Sequence, residues 1–108
     1  MKSKYLVLLC SLFFTFAHAE DKKVDCLILE DENSIICKYS HERMSTEKTI
    51  TVKWIEPDGT ETRTRDMVIP AFHGSIYDYR YIEGRTKGKW TFSVIDNEDE
   101  YTTSFMLK

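Results

Sequence analysis

Tyr77, Tyr79 and Tyr81 alternate with Asp78, Arg80 and Ile82 in the stretch YDYRYIEGRTKGKW, residues 77–90. In an extended strand, side chains point alternately to opposite faces. The tyrosines therefore share one face, and Asp78, Arg80 and Ile82 the other. Turned to solvent, the tyrosines make a ladder able to stack on sugar rings or anchor a protein partner, with Arg80 and Arg85 beside it. That arrangement turns Asp78 and Arg80 inward. Burying an unpaired charge is costly, and even a buried pair roughly breaks even. The cost argument therefore places the tyrosines inside, Tyr79 deepest, with Asp78 and Arg80 in water. Tyr77 and Tyr81, at the strand ends, are then the ones that emerge toward a partner.

Other reactive groups are sparse. Beyond His18 in the N-terminal segment, the histidines are His41 and His73, each in a loop or at a strand end. A Ser75–His73–Asp78 set can be drawn, but it has no nucleophile elbow or oxyanion signature, so no catalytic residue is assigned. Asp96-Asn97-Glu98-Asp99-Glu100 is oxygen-rich, yet it lacks the spacing and glycine of a calcium loop and reads as a charged hairpin turn. Zinc from His41, His73 and a cysteine is disfavoured because the cysteines are expected to be oxidised. No metal or cofactor is assigned. Ile82-Glu83-Gly84-Arg85 matches a protease recognition tetrapeptide by coincidence.

The N-terminus reads as an export signal. Lys2 and Lys4 precede an apolar run from Tyr5 to Phe16, and Ala17-His18-Ala19 presents small residues at the cleavage positions. The run is too short to span a bilayer. Cys10 follows Leu9 within that run, which does not suit a lipidation site. Residues 1–19 are thus expected to be a secretory signal peptide, and 20–108 a single exported domain, periplasmic or secreted and in style bacterial. That domain carries all 18 acidic residues but only 13 of the 15 basic ones, a net charge of about −5. It has no electrostatic footprint for nucleic acid, and no membrane insertion is expected after cleavage. Cys26 and Cys37 are left as a disulfide pair.

The chain that must position these groups has a period of two almost throughout. Strands are expected at Val24–Glu30, Ser34–Ser40, Thr49–Ile55, Thr60–Val68, Ser75–Glu83, Lys89–Asp96 and Tyr101–Leu107. Around the acidic turn Asp31-Glu32-Asn33, a hairpin of the first two strands puts Cys26 opposite Cys37. Pro57-Asp58-Gly59 is a turn, because Pro presets φ and Gly accepts a positive φ. The first six residues of Thr60–Val68 are polar on both faces, and the segment reads as a charge-protected edge strand. Seven short strands with frequent turns predict an all-β antiparallel sandwich, with a small β-barrel as the alternative. Trp54, Trp90, Phe92, Phe105 and Val52 are its expected core.

Three segments carry a resemblance: Trp54-Ile55-Glu56-Pro57-Asp58-Gly59, then Gly88-Lys89-Trp90-Thr91-Phe92-Ser93-Val94, then Phe105. Over about residues 48–108 the chain resembles bacterial immunoglobulin-like β-sandwich domains. The resemblance implies an immunoglobulin-like sandwich and no particular activity, since such domains host many roles. The cysteines depart from the antibody pattern, because they fall on adjacent strands.

Together these features predict a small non-enzymatic domain that binds or assembles with another protein. One version is an inhibitor of a basic enzyme such as a lysozyme, matched to the acidic charge. Thr60–Asp66 offers an edge for β-augmentation. Arg80, Arg85, Lys87 and Lys89 form a basic cluster in the sequence. The alternative is carbohydrate or envelope-ligand binding through Tyr77, Tyr79 and Tyr81, which requires those rings to be exposed.

Overall fold

The computed structural model describes residues 23–108, so the segment expected to be a signal peptide, residues 1–19, lies outside the described residues. Seven strands follow in order: β1 (Val24–Leu29), β2 (Ser34–Ser40), β3 (Lys48–Ile55), β4 (Glu61–Ile69), β5 (Ser75–Tyr81), β6 (Gly88–Asp96) and β7 (Asp99–Leu107). They form two antiparallel sheets, β1-β2-β5 and β4-β3-β6-β7. The alternating pattern produces this result directly. Most strands offer one apolar face, and two sheets can bury those faces only against each other. No ladder joins β5 to β4 or β1 to β7, so the domain is an open sandwich rather than a closed barrel.

The β1–β2 hairpin turns through a short 3-10 segment, Glu30–Glu32, and Asn33 in the left-handed region (φ 56°). Asparagine tolerates that conformation better than most residues. Asn33 also fastens the next connection: its carbonyl accepts from the Ile82 N–H and its Oδ1 from the Glu83 N–H. Cys26 pairs directly with Cys37, with Cα atoms 4.0 Å apart and the sulfurs bonded. This is the expected cross-strand staple, within one sheet rather than between sheets.

On the β3–β4 side, Gly59 adopts φ +95° in the Pro57-Asp58-Gly59 turn. Gly88 opens β6 at φ +129°, and a Cβ there would come within 2.9 Å of the Pro57 ring. The start of β6 is thus packed tightly onto the β3–β4 turn.

Trp54, Trp90, Phe92 and Val52 are buried, as the alternation predicts. Phe105 is partly buried, its ring 6.1 Å from Trp54 and stacked 6.3 Å from Trp90. Tyr39, Ile35, Ile50, Ile69 and Val94 join them in the core, with Val24, Cys37 and Leu107.

The tyrosine strand is oriented opposite to the expectation from charge burial. Tyr77, Tyr79 and Tyr81 are 57%, 58% and 60% exposed, whereas Asp78 is 2% exposed and Arg80 half-buried. The reason lies in partners that other strands supply. Asp78 faces Trp54 of β3 and two arginines of β4, so its charge is buried fully paired. Arg80 lies over the rings of Trp54 and Trp90, at 5.5 and 5.9 Å from their centroids.

Candidate functional site

The site grows from the open side of the sandwich, where β5 ends one sheet and β4 ends the other. The inward face of β4 begins with Ile69 and Met67, which join the core, and continues into Arg65 and Arg63. The inward face of β5 brings Asp78 and Arg80 to the same slot. Thr62 Oγ1 accepts from Arg80 Nη1 at 3.0 Å, while Arg63 and Arg65 reach Asp78, so the two strands run antiparallel across the gap.

Asp78 is the hub. Its Oδ2 accepts from Trp54 Nε1 at 2.8 Å. Its Oδ1 accepts from Arg65 Nη2 at 2.8 Å, Arg63 Nη1 at 3.3 Å and the Tyr79 N–H at 3.1 Å. The even-numbered residues of β5 turn their backbone groups toward β2, as the Ile82 bond to Asn33 indicates, so the odd-numbered ones face the open edge. Arginines cover part of that edge. Arg63 Nη1 donates to the Tyr79 carbonyl at 3.4 Å, and Arg85 Nε to the Tyr81 carbonyl at 3.3 Å.

The result is a groove of ≈380 Å³ lined by Arg63, Arg65, Arg80, Arg85, Asp78 and the three tyrosines. It gathers four of the chain's five arginines in a protein of net charge −3. Burial, and then the neighbouring charges of Arg85 and Arg63, lower the Arg80 pKa from its ordinary value. Asp78 is the one carboxylate that lines the groove, beside four guanidinium groups.

Outside the groove, the tyrosines continue into a flat face. Register aligns Tyr79 with Ile36 and Leu27, and Tyr77 with Lys38 and Asp25. Leu27 is 59% exposed. The outer face of β1-β2-β5 thus carries a contiguous aromatic and apolar strip bordered by arginine.

The sequence-predicted residues Tyr77, Tyr79, Tyr81, Arg80 and Arg85 all converge here. Lys87 and Lys89 do not line the groove; Arg63 and Arg65 take their place. The signal for these two was the alternation in TRTRDMV, which puts both arginines on the Met67 face. Ser75, His73 and Asp78 do not assemble as a catalytic set, since both Asp78 oxygens are committed to Trp54 and the arginines. Among the described residues, no three His, Cys, Asp or Glu side chains converge at metal-binding distance.

A second polar cluster sits at the other end of β2. The Tyr39 hydroxyl donates to Asp96 Oδ2 at 2.6 Å, and Lys48 Nζ pairs with Asp96 Oδ1 at 2.8 Å. His41 is half-buried rather than free in a loop, and its ring stacks on Tyr39 at 5.9 Å. Burial pushes the Asp96 carboxyl up, but the bonds from Lys48 and Tyr39 outweigh it and hold the group below its ordinary value. Burial, and then Asp96, raise the Tyr39 hydroxyl well above its ordinary value.

Both shifts make stability depend on pH. The depressed Asp96 contributes stability that is fully present above its unfolded-state pKa of about 3.9 and is lost as pH falls through the lower folded value. The raised Tyr39 contributes stability that is present below about pH 10 and is lost as pH climbs above it. Asp96→Asn is expected to flatten the acid limb of a urea-midpoint-versus-pH profile. An unchanged acid limb would remove Asp96 from that role.

No protein-family model and no curated protein sequence matches this chain. Fold and site define an all-β sandwich whose open side carries an arginine-lined groove beside an exposed tyrosine row.

Proposed function

We propose that this is an exported, immunoglobulin-like, non-enzymatic domain that binds another protein through the outer face of β1-β2-β5. The observation that carries this reading is the row of Tyr77, Tyr79 and Tyr81. All three are more than half exposed, and the row is continuous with Leu27 and Ile36. Tyrosine and arginine are the residue types enriched where interfaces hold their binding energy. Here the tyrosine rings stand on a disulfide-stapled sheet, so little ordering entropy is lost on binding. The Cys26–Cys37 pair suits an oxidising, exported compartment, in keeping with the leader-like N-terminus.

If the partner is a basic enzyme, it cannot favour this arginine-bordered face. It would instead meet the acidic turns at Glu30–Glu32 or Glu98–Glu100. Carbohydrate binding is the second reading, and the same exposure of the three rings favours it, because stacking on a sugar needs open aromatic faces.

The test compares capture from the native extract by the wild-type domain and by a Tyr77→Ser/Tyr79→Ser/Tyr81→Ser variant of matched thermal stability. The expected result is a protein retained by the wild type and lost by the variant. Identical capture by both would remove the face from the function. Tyrosine-dependent retention of a glycan alone would transfer the function to the second reading.

A further inference from the structure

Given the proposed protein-binding face, we infer that the β4–β5 groove receives an extended acidic segment of the partner polypeptide, its carboxylates meeting Arg63, Arg65, Arg80 and Arg85. Three features of the groove point to this occupant.

The first is charge type. The groove concentrates arginine and contains no lysine, although lysines outnumber arginines in the chain. Guanidinium forks match carboxylates in a planar, two-bonded geometry that an ammonium group cannot offer. Asp78 engages Arg65 through Nη2, and Arg63 Nη1 is shared between Asp78 and the Tyr79 carbonyl, so Nε and the other Nη of each guanidinium are left for an incoming acid. Arg80, its Nη1 bonded to Thr62 and its Nε buried, adds positive charge to the groove lining.

The second is spacing. Tyr77, Tyr79 and Tyr81 repeat at the two-residue interval of a strand, about 6.7 Å, and so do Arg63 and Arg65 on the opposite wall. An extended polypeptide repeats its own same-face side chains at that interval. Successive acidic residues can therefore meet successive arginines while the intervening residues lie along the tyrosines.

The third is length. The positive stretch is short: Arg63 and Arg65 supply it from β4, and Arg80 and Arg85 from β5 and the turn after it. A few carboxylates fit within that window. A phosphodiester chain, charged at every unit, would continue past the four arginines.

The experiment titrates the ¹⁵N-labelled domain with a capped peptide of alternating glutamate and threonine. The Trp54 indole N–H, bonded to Asp78, serves as reporter. Matched arms use the lysine–threonine peptide, an oligogalacturonate and a single-stranded oligothymidylate.

The glutamate peptide is expected to shift the Trp54 indole and arginine N–H signals saturably, and its affinity should fall with added salt. Arg85→Gln and Arg65→Lys should each weaken it by about tenfold, the effect of losing one charge-assisted bond. Neither substitution takes the charged partner from Asp78, so both variants should fold. No saturable shift, or equal binding of the lysine peptide, would overturn the inference. Tighter binding of the uronate or the oligonucleotide would also overturn it. If the glutamate peptide fails while tyrosine-dependent capture persists, the acidic-segment inference falls and the protein-binding face stands. If the peptide binds while capture ignores the tyrosines, the reverse holds.

Discussion

Asp78→Ala is expected to destabilise the domain by about 3–5 kcal/mol, the usual cost of breaking a buried charge pair from one side. Asp78 is 2% exposed and accepts four hydrogen bonds. Its removal leaves the Trp54 indole N–H without an acceptor at the centre of the core. It also leaves Arg63, Arg65 and Arg80 facing one another across a slot with no carboxylate. Small domains have little stability to lose, so the variant should sit close to its unfolding transition at room temperature. Asp78→Asn separates the two contributions, since an amide oxygen can still accept from Trp54 but carries no charge for the arginines. Equilibrium urea unfolding measures both. The alanine variant should lose most, and the asparagine variant should lose less and recover partly in high salt, which screens the arginines. A loss below about 1 kcal/mol for Asp78→Ala would mean that this carboxylate does not join the two sheets.

Replacing Cys26 and Cys37 with alanine is the second large effect. The bond closes a loop with a sequence separation of 11. Chain-entropy reasoning assigns such a closure about 3 kcal/mol. The loss should be local as well as global. Among the described residues β1 is an edge strand that pairs only with β2, and the bond sits within that ladder. Amide exchange in β1 should accelerate more than in β3 or β6, which lie inside their sheet. Equal acceleration throughout would show that the bond acts only through the unfolded chain. The same substitution should disturb the tyrosine face, since Leu27, next to Cys26, belongs to it.

The fold was largely legible because strand alternation is a local property. The seven strands, the cross-strand cysteines and the buried Trp54, Trp90, Phe92 and Val52 all follow from period-two patterning and turn chemistry. Boundaries moved by one or two residues, as where β5 ends at Tyr81 and β7 begins at Asp99. The orientation of β5 was not legible. Its alternation allows two answers, and the cost of burying Asp78 and Arg80 decides between them only when their partners are known. Those partners come from β3 and β4, 13 to 24 residues away in sequence. The segment read as polar on both faces, TETRTR, supplied the two arginines that pair with buried Asp78. The candidate residues Tyr77, Tyr79, Tyr81, Arg80 and Arg85 were identifiable by type. Arg63, Arg65 and the hub role of Asp78 emerge only when the two sheet edges are brought together.

That orientation is the central claim, because the tyrosine face and the arginine groove both depend on it. Limited nitration with tetranitromethane, mapped by peptide mass spectrometry on the folded domain, tests it most directly. The rings of Tyr77, Tyr79 and Tyr81 should react early and together. Tyr39, buried at 2% exposure and bonded to Asp96, should react only on unfolding. Protection of Tyr77, Tyr79 and Tyr81 to the level of Tyr39 would contradict the account, by returning the tyrosines to the core and Asp78 to solvent.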